Sequence, residues 1–372
     1  MSKMFTSLGL MSGTSGDGID ASLIISNGID KFEEIKNKYF EYDSDTYEKI
    51  HSIKDKIFKI NDLEKFSGEL RDLEREITLH HAKIIKEFNF NSENAVIGFH
   101  GQTIYHNSKE KISLQLGDGK FLNQLTKKKI VYKFRKNDIL HGGEGAPLTP
   151  IFHQLISTQK KIKLPVCILN IGGISNITLI KEPLGSLQIF SKDLGPGNCL
   201  IDTWIRKNSK FKFDRDGILG STGKKNEIIF EQAQELYSNR VDKKKVSFDI
   251  SDFDISFSRG LSLEDGAATL TDFTARIIAD SISESLTKVN TLEEILVSGG
   301  GRKNIFLLKL IKKYLNSKFN LKLIDDYGIN GDFVESQAFA FLAIRSLKNL
   351  PITFPNTTNC TKPISGGEIV ES

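Results

Sequence analysis

The stretch Gly9-Leu10-Met11-Ser12-Gly13-Thr14-Ser15-Gly16-Asp17-Gly18-Ile19-Asp20 carries the densest set of chemically useful residues in the chain. Its glycines let a backbone approach a ligand closely and reach positive φ. Its hydroxyls and successive backbone N–H groups can cup an anion. The Asp17 carboxylate suits a hard cation held near phosphate. The combination reads as the first phosphate loop of an ATP-using fold. No Gly-Lys-Ser/Thr follows, so the loop is not of the Walker A type. The competing reading is an ordinary hairpin turning at Asp17-Gly18.

Three more glycine-rich corners follow apolar runs: Asn170-Ile171-Gly172-Gly173-Ile174-Ser175-Asn176, Asp193-Leu194-Gly195-Pro196-Gly197-Asn198 and Ser298-Gly299-Gly300-Gly301-Arg302. One such corner is weak evidence, but routine turns do not account for the whole set. Ligands of α/β proteins sit at the carboxyl ends of strands, so the corners suggest loops gripping a nucleotide from two sides. Phosphoryl transfer asks mainly for positioning and charge neutralisation, which backbone amides and Mg²⁺ supply. Asp193 is the candidate general base, a carboxylate at a strand end that can reach a reacting water. Alternatively, it caps the Gly-Pro-Gly turn that follows it.

Such residues need strands to deliver them. Phe5 to Leu10 and Ala21 to Ser26 read as strands around the first loop, and Ala95 to Phe99 as the strand that presents His100. Leu114 to Gly119, Ile130 to Phe134, Pro165 to Asn170, Leu187 to Phe190 and Leu292 to Ser298 read as further strands. Apolar spacings of three and four predict helices over Leu63–Phe88, Leu270–Leu286, Asn304–Leu315 and Phe339–Leu347. The mixture is α/β. His80 and His81 diverge by about 100° on their helix and read as structural. A chain of 372 residues suggests two domains, drawn as residues 1–138 and 139–350, with the segment from 350 to 372 returning to the first. The Gly142-Gly143-Glu144-Gly145-Ala146-Pro147 stretch is the hinge candidate.

Composition narrows the function. Hydrophobic residues at 39% and charged residues at 26% fit a globular protein. The net charge of +4 arises from 51 basic against 47 acidic residues spread along the chain, a bias too mild to indicate a nucleic-acid partner. Lys127-Lys128-Lys129 and Lys243-Lys244-Lys245 read as solvated loops. Cys167, Cys199 and Cys360 form neither a disulfide framework nor a metal spacing. No run has signal-peptide character or the ~20 apolar residues that span a bilayer, so the expectation is a cytoplasmic protein without a membrane partner.

Ser12-Gly13-Thr14-Ser15 with Asp17-Gly18, His100-Gly101-Gln102-Thr103, Phe134-Arg135 with Asp138, Gly142-Gly143 with Gly145-Ala146-Pro147-Leu148, and the three later corners occur in this order. From about Gly9 to Phe341 the set resembles the anhydro-N-acetylmuramic acid kinase family. The resemblance implies two ribonuclease-H-like domains, of the actin and hexokinase type, flanking a nucleotide cleft. It implies ATP and Mg²⁺ as cofactors and 1,6-anhydro-N-acetylmuramic acid as the small-molecule partner. In that reaction water opens the anhydro ring at the anomeric carbon and the freed O6 takes the γ-phosphate, giving N-acetylmuramic acid 6-phosphate in peptidoglycan recycling. An actin-fold kinase of another amino sugar and a non-enzymatic actin-fold ATP switch are the alternatives.

Carried over residue by residue, the resemblance makes Asp193 the catalytic aspartate. It sets Ser12, Gly13, Thr14, Ser15, Gly16, Asp17, Gly18 and Ile19 around the β- and γ-phosphates, with Gly172, Gly173, Gly195 and Gly197. Gly299, Gly300 and Gly301 would let adenosine lie against backbone, with Arg302 either stacked on adenine or solvated. Asp17 would organise Mg²⁺ through water or touch the sugar. His100, Gln102, Arg135, Asp138, Asn176, Asn198 and Glu335 fall on the substrate side. A buried Arg135–Asp138 pair, turn caps at Asn176 and Asn198, and a first-turn acid at Glu335 are the competing structural readings. A homodimer is compatible with the sequence. Gly16 departs from the family pattern, where an apolar residue is usual and glycine implies a looser loop. Glu144 replaces a usual glutamine and Ser336 a usual alanine.

Overall fold

The computed structural model describes residues 3–90, 92, 94–182, 188–240, 246–287, 289, 292, 294–316 and 319–371. Its contacts divide the chain into one unit of Met1–Ile162 with Asp332–Ser372 and another of Lys163–Gly331.

The first unit is built on β1 (Phe5–Ser12), β2 (Gly18–Ser26), β3 (Phe32–Glu41), β4 (Ala95–Asn107), β5 (Ile112–Leu116) and β6 (Lys129–Tyr132), closed by β12 (Glu368–Val370). The sheet order is β12-β6-β4-β1-β2-β3, with β5 paired to β4. The first three strands form an antiparallel meander, and β4 and β6 run parallel beside β1. The second unit holds β7 (Val166–Ile171), β8 (Ile174–Lys181), β9 (Gln188–Pro196), β10 (Glu294–Ser298) and β11 (Asn320–Leu323) in the order β11-β10-β7-β8-β9. Here too an antiparallel meander is followed by two strands parallel to its first member. Both units therefore follow the ribonuclease-H-like strand order, one plan used twice in an α/β chain.

In the first unit the helix Val334–Leu347 lies directly on the sheet centre. Gly9 of β1 and Gly98 of β4 are register partners. A Cβ on Gly9 would sit 1.9 Å from the Ser336 carbonyl, and one on Gly98 would sit 2.2 Å from the Phe339 carbonyl. Both strands thus need a residue without a side chain for the helix backbone to reach them. The helix Ser67–Phe88 buries Leu70, Leu73, Ile77, Ile84 and Phe88 on the period expected of one apolar face. His81 is buried on this helix with Nδ1 2.7 Å from the Ile77 carbonyl. His80, on the same helix, stands 3.4 Å from Asp43. In the second unit, Ile278 and Ile282 of the helix Leu263–Ser285 and Leu307 and Ile311 of Ile305–Tyr314 cover Cys167, Leu169 and Val297. Ser262 and Asn304 cap these two helices by accepting from Asp265 and Leu307 amides.

Several expectations are corrected. The helix read over Leu63–Phe88 breaks at Phe66, whose φ of −102° and ψ of 19° separate Ile60–Lys65 from Ser67–Phe88. The strand read over Leu114–Gly119 ends at Leu116, and Gly119 opens a helix capped by Asp118. Of the strand read over Leu187–Phe190, Leu187 lies outside the described residues, as does the Lys243-Lys244-Lys245 run. The Gly142–Pro147 stretch, read as a hinge, lies inside the first unit, where Gly145 donates to Asp138 and Glu144 to the Thr358 carbonyl. The contact boundaries fall at 162/163 and 331/332, whereas the sequence reading drew them at 138/139 and near 350. The reason is the helix Val334–Leu347, which belongs with Gly9 and Gly98.

Gly9→Ala should lower unfolding free energy by ~1–3 kcal/mol, the cost of overpacking a closed site. Gly68→Ala, where a Cβ meets nothing within 4 Å, should be neutral or stabilising by up to ~1 kcal/mol. Urea titrations of both variants check this; equal stabilities would remove the close helix approach from the account.

Candidate active site

The loop after β1 is held from beneath. Ser12 Oγ lies 2.6 Å from Gln102 Oε1 and 2.9 Å from the Gly18 carbonyl. Gln102 Nε2 donates to the Gly13 carbonyl at 2.9 Å. The Gly16 amide closes a turn onto the same carbonyl at 3.1 Å. Gly16 adopts φ +65°, and a Cβ there would meet Ile50 at 2.8 Å. Glycine at this position is therefore demanded by the turn and its floor, which corrects the reading of Gly16 as mere looseness. Gly13, Thr14, Ser15 and Asp17 are half-buried at the loop's apex, while Ser12, Gly16, Gly18 and Ile19 are buried. The Asp17 carboxylate accepts from Ser15 Oγ. Burial first, then the charge of Asp17, raise the Tyr39 phenol above its ordinary value. Gln102, expected on the sugar, is fully buried and spends its amide on the loop.

His100 and Arg135 form a second cluster. Burial first, then the Arg135 charge, hold His100 well below the usual histidine range. With Nδ1 2.8 Å from the Gly101 carbonyl, the neutral ring carries its proton there, and Nε2 accepts from Arg135 at 3.0 Å. Arg135 also donates to the Gly145 carbonyl. Asp138 is fully buried and accepts from the Gly145 amide at 2.8 Å and from Thr358 Oγ1 at 2.7 Å. It braces the Gly142–Pro147 turn. Glu335 is half-buried in the first turn of the helix Val334–Leu347. Its neighbour Ser336 is buried, 2.6 Å from Ser22 Oγ, and Glu144 accepts from Asn359.

In the second unit β7, β9 and β10 run in one direction, so their carboxyl ends share one sheet edge. The glycine corners meet there. The Gly197 amide donates to the Gly173 carbonyl at 2.9 Å and that of Asn198 to Gly172 at 2.8 Å. A Cβ on Gly197 would meet the Gly172 carbonyl at 2.3 Å, and one on Gly299 the Asn170 side chain at 2.4 Å. Gly195 adopts φ +147° against Ile277. Gly301 packs on Ile171, whereas Gly300 faces open space. Asn198 opens the helix Cys199–Asn208. Arg302 is neither solvated nor presented for stacking: it is buried and clamps Asp325 through Nε at 2.8 Å and Nη2 at 3.1 Å. Burial pushes the Asp325 carboxyl up, but the Arg302 bonds and charge and the Gly331 amide together leave the group below its ordinary value.

Asp193 is buried near the end of β9. Its amide donates to Val246 and its Oδ2 accepts from the Phe248 amide, both at 2.8 Å. Asn176 of β8 pairs with it across the sheet, which sets the two Cβ atoms about 5 Å apart on one face. The buried Asn176 Oδ1 has no hydrogen-bond partner among the described residues. Asp193 also lines a cavity of about 300 Å³ with Lys192, Tyr237, Phe248 and Ser281. Burial pushes the Cys167 and Cys199 thiols up to about 12, so neither is a thiolate nucleophile at neutral pH. Lys128 and Lys129 are engaged by the Phe90 carbonyl and Glu371. Among the described residues no helix is long and apolar enough to cross a membrane.

The sequence reading missed Tyr39, Lys54 and Phe248. Lys54 Nζ donates to the Thr14 carbonyl at 2.6 Å. Its distance along the chain from the loop hid it, because only the fold brings the helix Ser44–Lys54 beside β1.

Paired ribonuclease-H-like units carrying glycine-rich loops at strand ends define a class: the actin-like, hexokinase-type fold. A family model described as anhydro-N-acetylmuramic acid kinase matches residues 5–372, and the chain belongs to that family. An anhydro-N-acetylmuramic acid kinase of Pelagibacter ubique (strain HTCC1062) is 52% identical over 100% of both chains. One of Zymomonas mobilis subsp. mobilis is 37% identical over 97% of this chain and 98% of its own. Among solved structures, the Acidaminococcus fermentans (R)-2-hydroxyglutaryl-CoA dehydratase component A is similar at a TM-score of 0.41, with 11% identity, over 92% of this chain and 99% of its own. The fold assignment rests on the strand orders above.

Three buried histidines make the first unit acid-sensitive. Burial lowers His81 to about 4 and His153 to about 3, and His100 also lies well below 6.5. The unfolded chain binds these protons first, so stability is full above pH ~6.5 and falls as pH drops toward ~4, by up to about 1.4 kcal/mol per pH unit for each site. Urea midpoints measured from pH 7.5 to 5 check this. His153→Gln should flatten the slope, and a flat profile in the parent would contradict neutral buried rings.

Proposed function

We propose that the chain uses ATP to convert 1,6-anhydro-N-acetylmuramic acid to N-acetylmuramic acid 6-phosphate, in the cytoplasmic recycling of cell-wall sugars. Family membership supports the substrate. The observation that carries the chemistry is Asp193: a buried carboxylate beside the orphaned Asn176 amide oxygen, at the sheet edge where the glycine corners meet. An orphaned acceptor beside a carboxylate suits a bound water, which donates one proton to each. Asp193 takes a proton from water, the water oxygen bonds to the anomeric carbon, and the bond from that carbon to O6 breaks. O6 then accepts the γ-phosphoryl group, and ADP leaves. Phosphate oxygens would be met by backbone amides of the loop from Ser12 to Ile19 and of the Gly172, Gly173, Gly195 and Gly197 corners, with Gly299, Gly300 and Gly301 beside the adenosine.

The donor set at Asp17, a carboxylate already oriented by Ser15, fits Mg²⁺, which prefers hard oxygens. When bound, Mg²⁺ would neutralise phosphate charge. On the sugar side we assign His100, Arg135, Asn176, Asn198 and Glu335 to substrate contact. Gln102 and Asp138 act behind them, as supports of the loop and of the Gly142–Pro147 turn.

Asp193→Asn should lower kcat by ~10²–10⁴-fold, the usual worth of a general base, with ATP affinity within a few-fold of the parent. Steady-state rates and calorimetric titration check it; near-parental turnover would remove Asp193 from this role. Product mass separates the reading from a kinase of an open-chain sugar, since only the coupled reaction adds both water and a phosphoryl group.

A further inference from the structure

We propose that Lys54 is a positioning residue that fixes the orientation of the Thr14–Ser15 peptide in the phosphate loop. This rests on the reading of residues 12–19 as that loop. The apex of the loop is half-buried and close to water, where a peptide plane is free to turn over unless something holds it. An inverted plane would present a carbonyl oxygen to the phosphate in place of an N–H, exchanging attraction for repulsion.

Carbonyls on either side of Thr14 are tied to donors. The Gly13 carbonyl is tied to Gly16 and Gln102, that of Asp17 to the Tyr42 amide, and that of Gly18 to Ser12. Thr14 is the member of this series whose carbonyl is reached by a charged group, the Lys54 ammonium at 2.6 Å. Only Ala146-Pro147 and Leu164-Pro165 are cis among the described residues. The Thr14–Ser15 peptide is therefore trans, and its N–H points opposite to its C=O. By drawing the Thr14 carbonyl toward itself, Lys54 turns the Ser15 N–H to the other side of the loop. The ammonium thus lies on the carbonyl side of this peptide plane and acts through the plane. It does for this loop what a Walker lysine does not: it sets a backbone donor and leaves the phosphate to that donor. Lys54 is the last residue of the helix Ser44–Lys54, begun by the Asp43 cap, so its reach to Thr14 is set by a short rigid element.

The test is calorimetric binding of ATP and of adenosine to the full chain and to Lys54→Met and Lys54→Arg, with thermal unfolding of each. Lys54→Met should weaken ATP about tenfold or more, the loss of a hydrogen bond to a charged group. It should leave adenosine affinity within twofold and the protein folded at the assay temperature, and Lys54→Arg should recover most of the ATP affinity. The Met-to-parent ratio for ATP should persist from low salt to ~1 M, where a charge acting at a distance is screened within about 3 Å. Unchanged ATP affinity, an equal loss for adenosine, or a ratio that vanishes at high salt would overturn the proposal. A parent protein that binds ATP no better than adenosine would defeat the phosphate-loop reading as well. Normal phosphate selectivity with an unaffected Met variant defeats Lys54 alone.

Discussion

Backbone lying on backbone is the constraint from which this structure follows. At Gly9 and Gly98 a helix main chain rests on the first sheet, and at Gly197 strand-end loops rest on one another in the second. A single methyl group at any of these places would need atoms to pass within 2.5 Å, closer than packing allows. Close approach brings rigidity, because main-chain atoms have no rotamers by which to relax. It also leaves peptide groups, rather than side chains, as the surface offered to a ligand.

That choice suits phosphoryl transfer. A triphosphate changes its charge distribution along the reaction, and fixed dipoles respond without reorganising. The side chains around the loops mostly serve the backbone. Gln102 and Ser12 hold the floor of the first loop, Asp138 the Gly142–Pro147 turn, and Arg302 with Asp325 the corner that follows β10. Asp193 stands apart as a buried carboxylate, to which our proposal gives the activation of a solvent molecule rather than the binding of phosphate.

Much of this was legible in the residue order. Glycine, hydroxyl and acidic residues in a short loop are a local signal, and the strands that deliver them are apolar enough to read. Three things were not legible. The strand Phe32–Glu41 is largely exposed, so it carries no apolar run. The return of Val334–Leu347 to the first unit depends on contacts more than 200 residues apart, marked only by glycines inside two strands. Arg302 looked like a surface arginine because its partner Asp325 lies 23 residues away. In each case a tertiary contact, absent from any local window, decides what the residue does.

The central chemical claim is that solvent attacks the sugar while the phosphoryl group goes to the oxygen so released. Turnover in ¹⁸O-labelled water tests it most directly. The account predicts one heavy oxygen at the anomeric position of the 6-phosphorylated product and none in its phosphate. Heavy oxygen appearing in phosphate instead, or a phosphorylated product with an unlabelled anomeric oxygen, would contradict it.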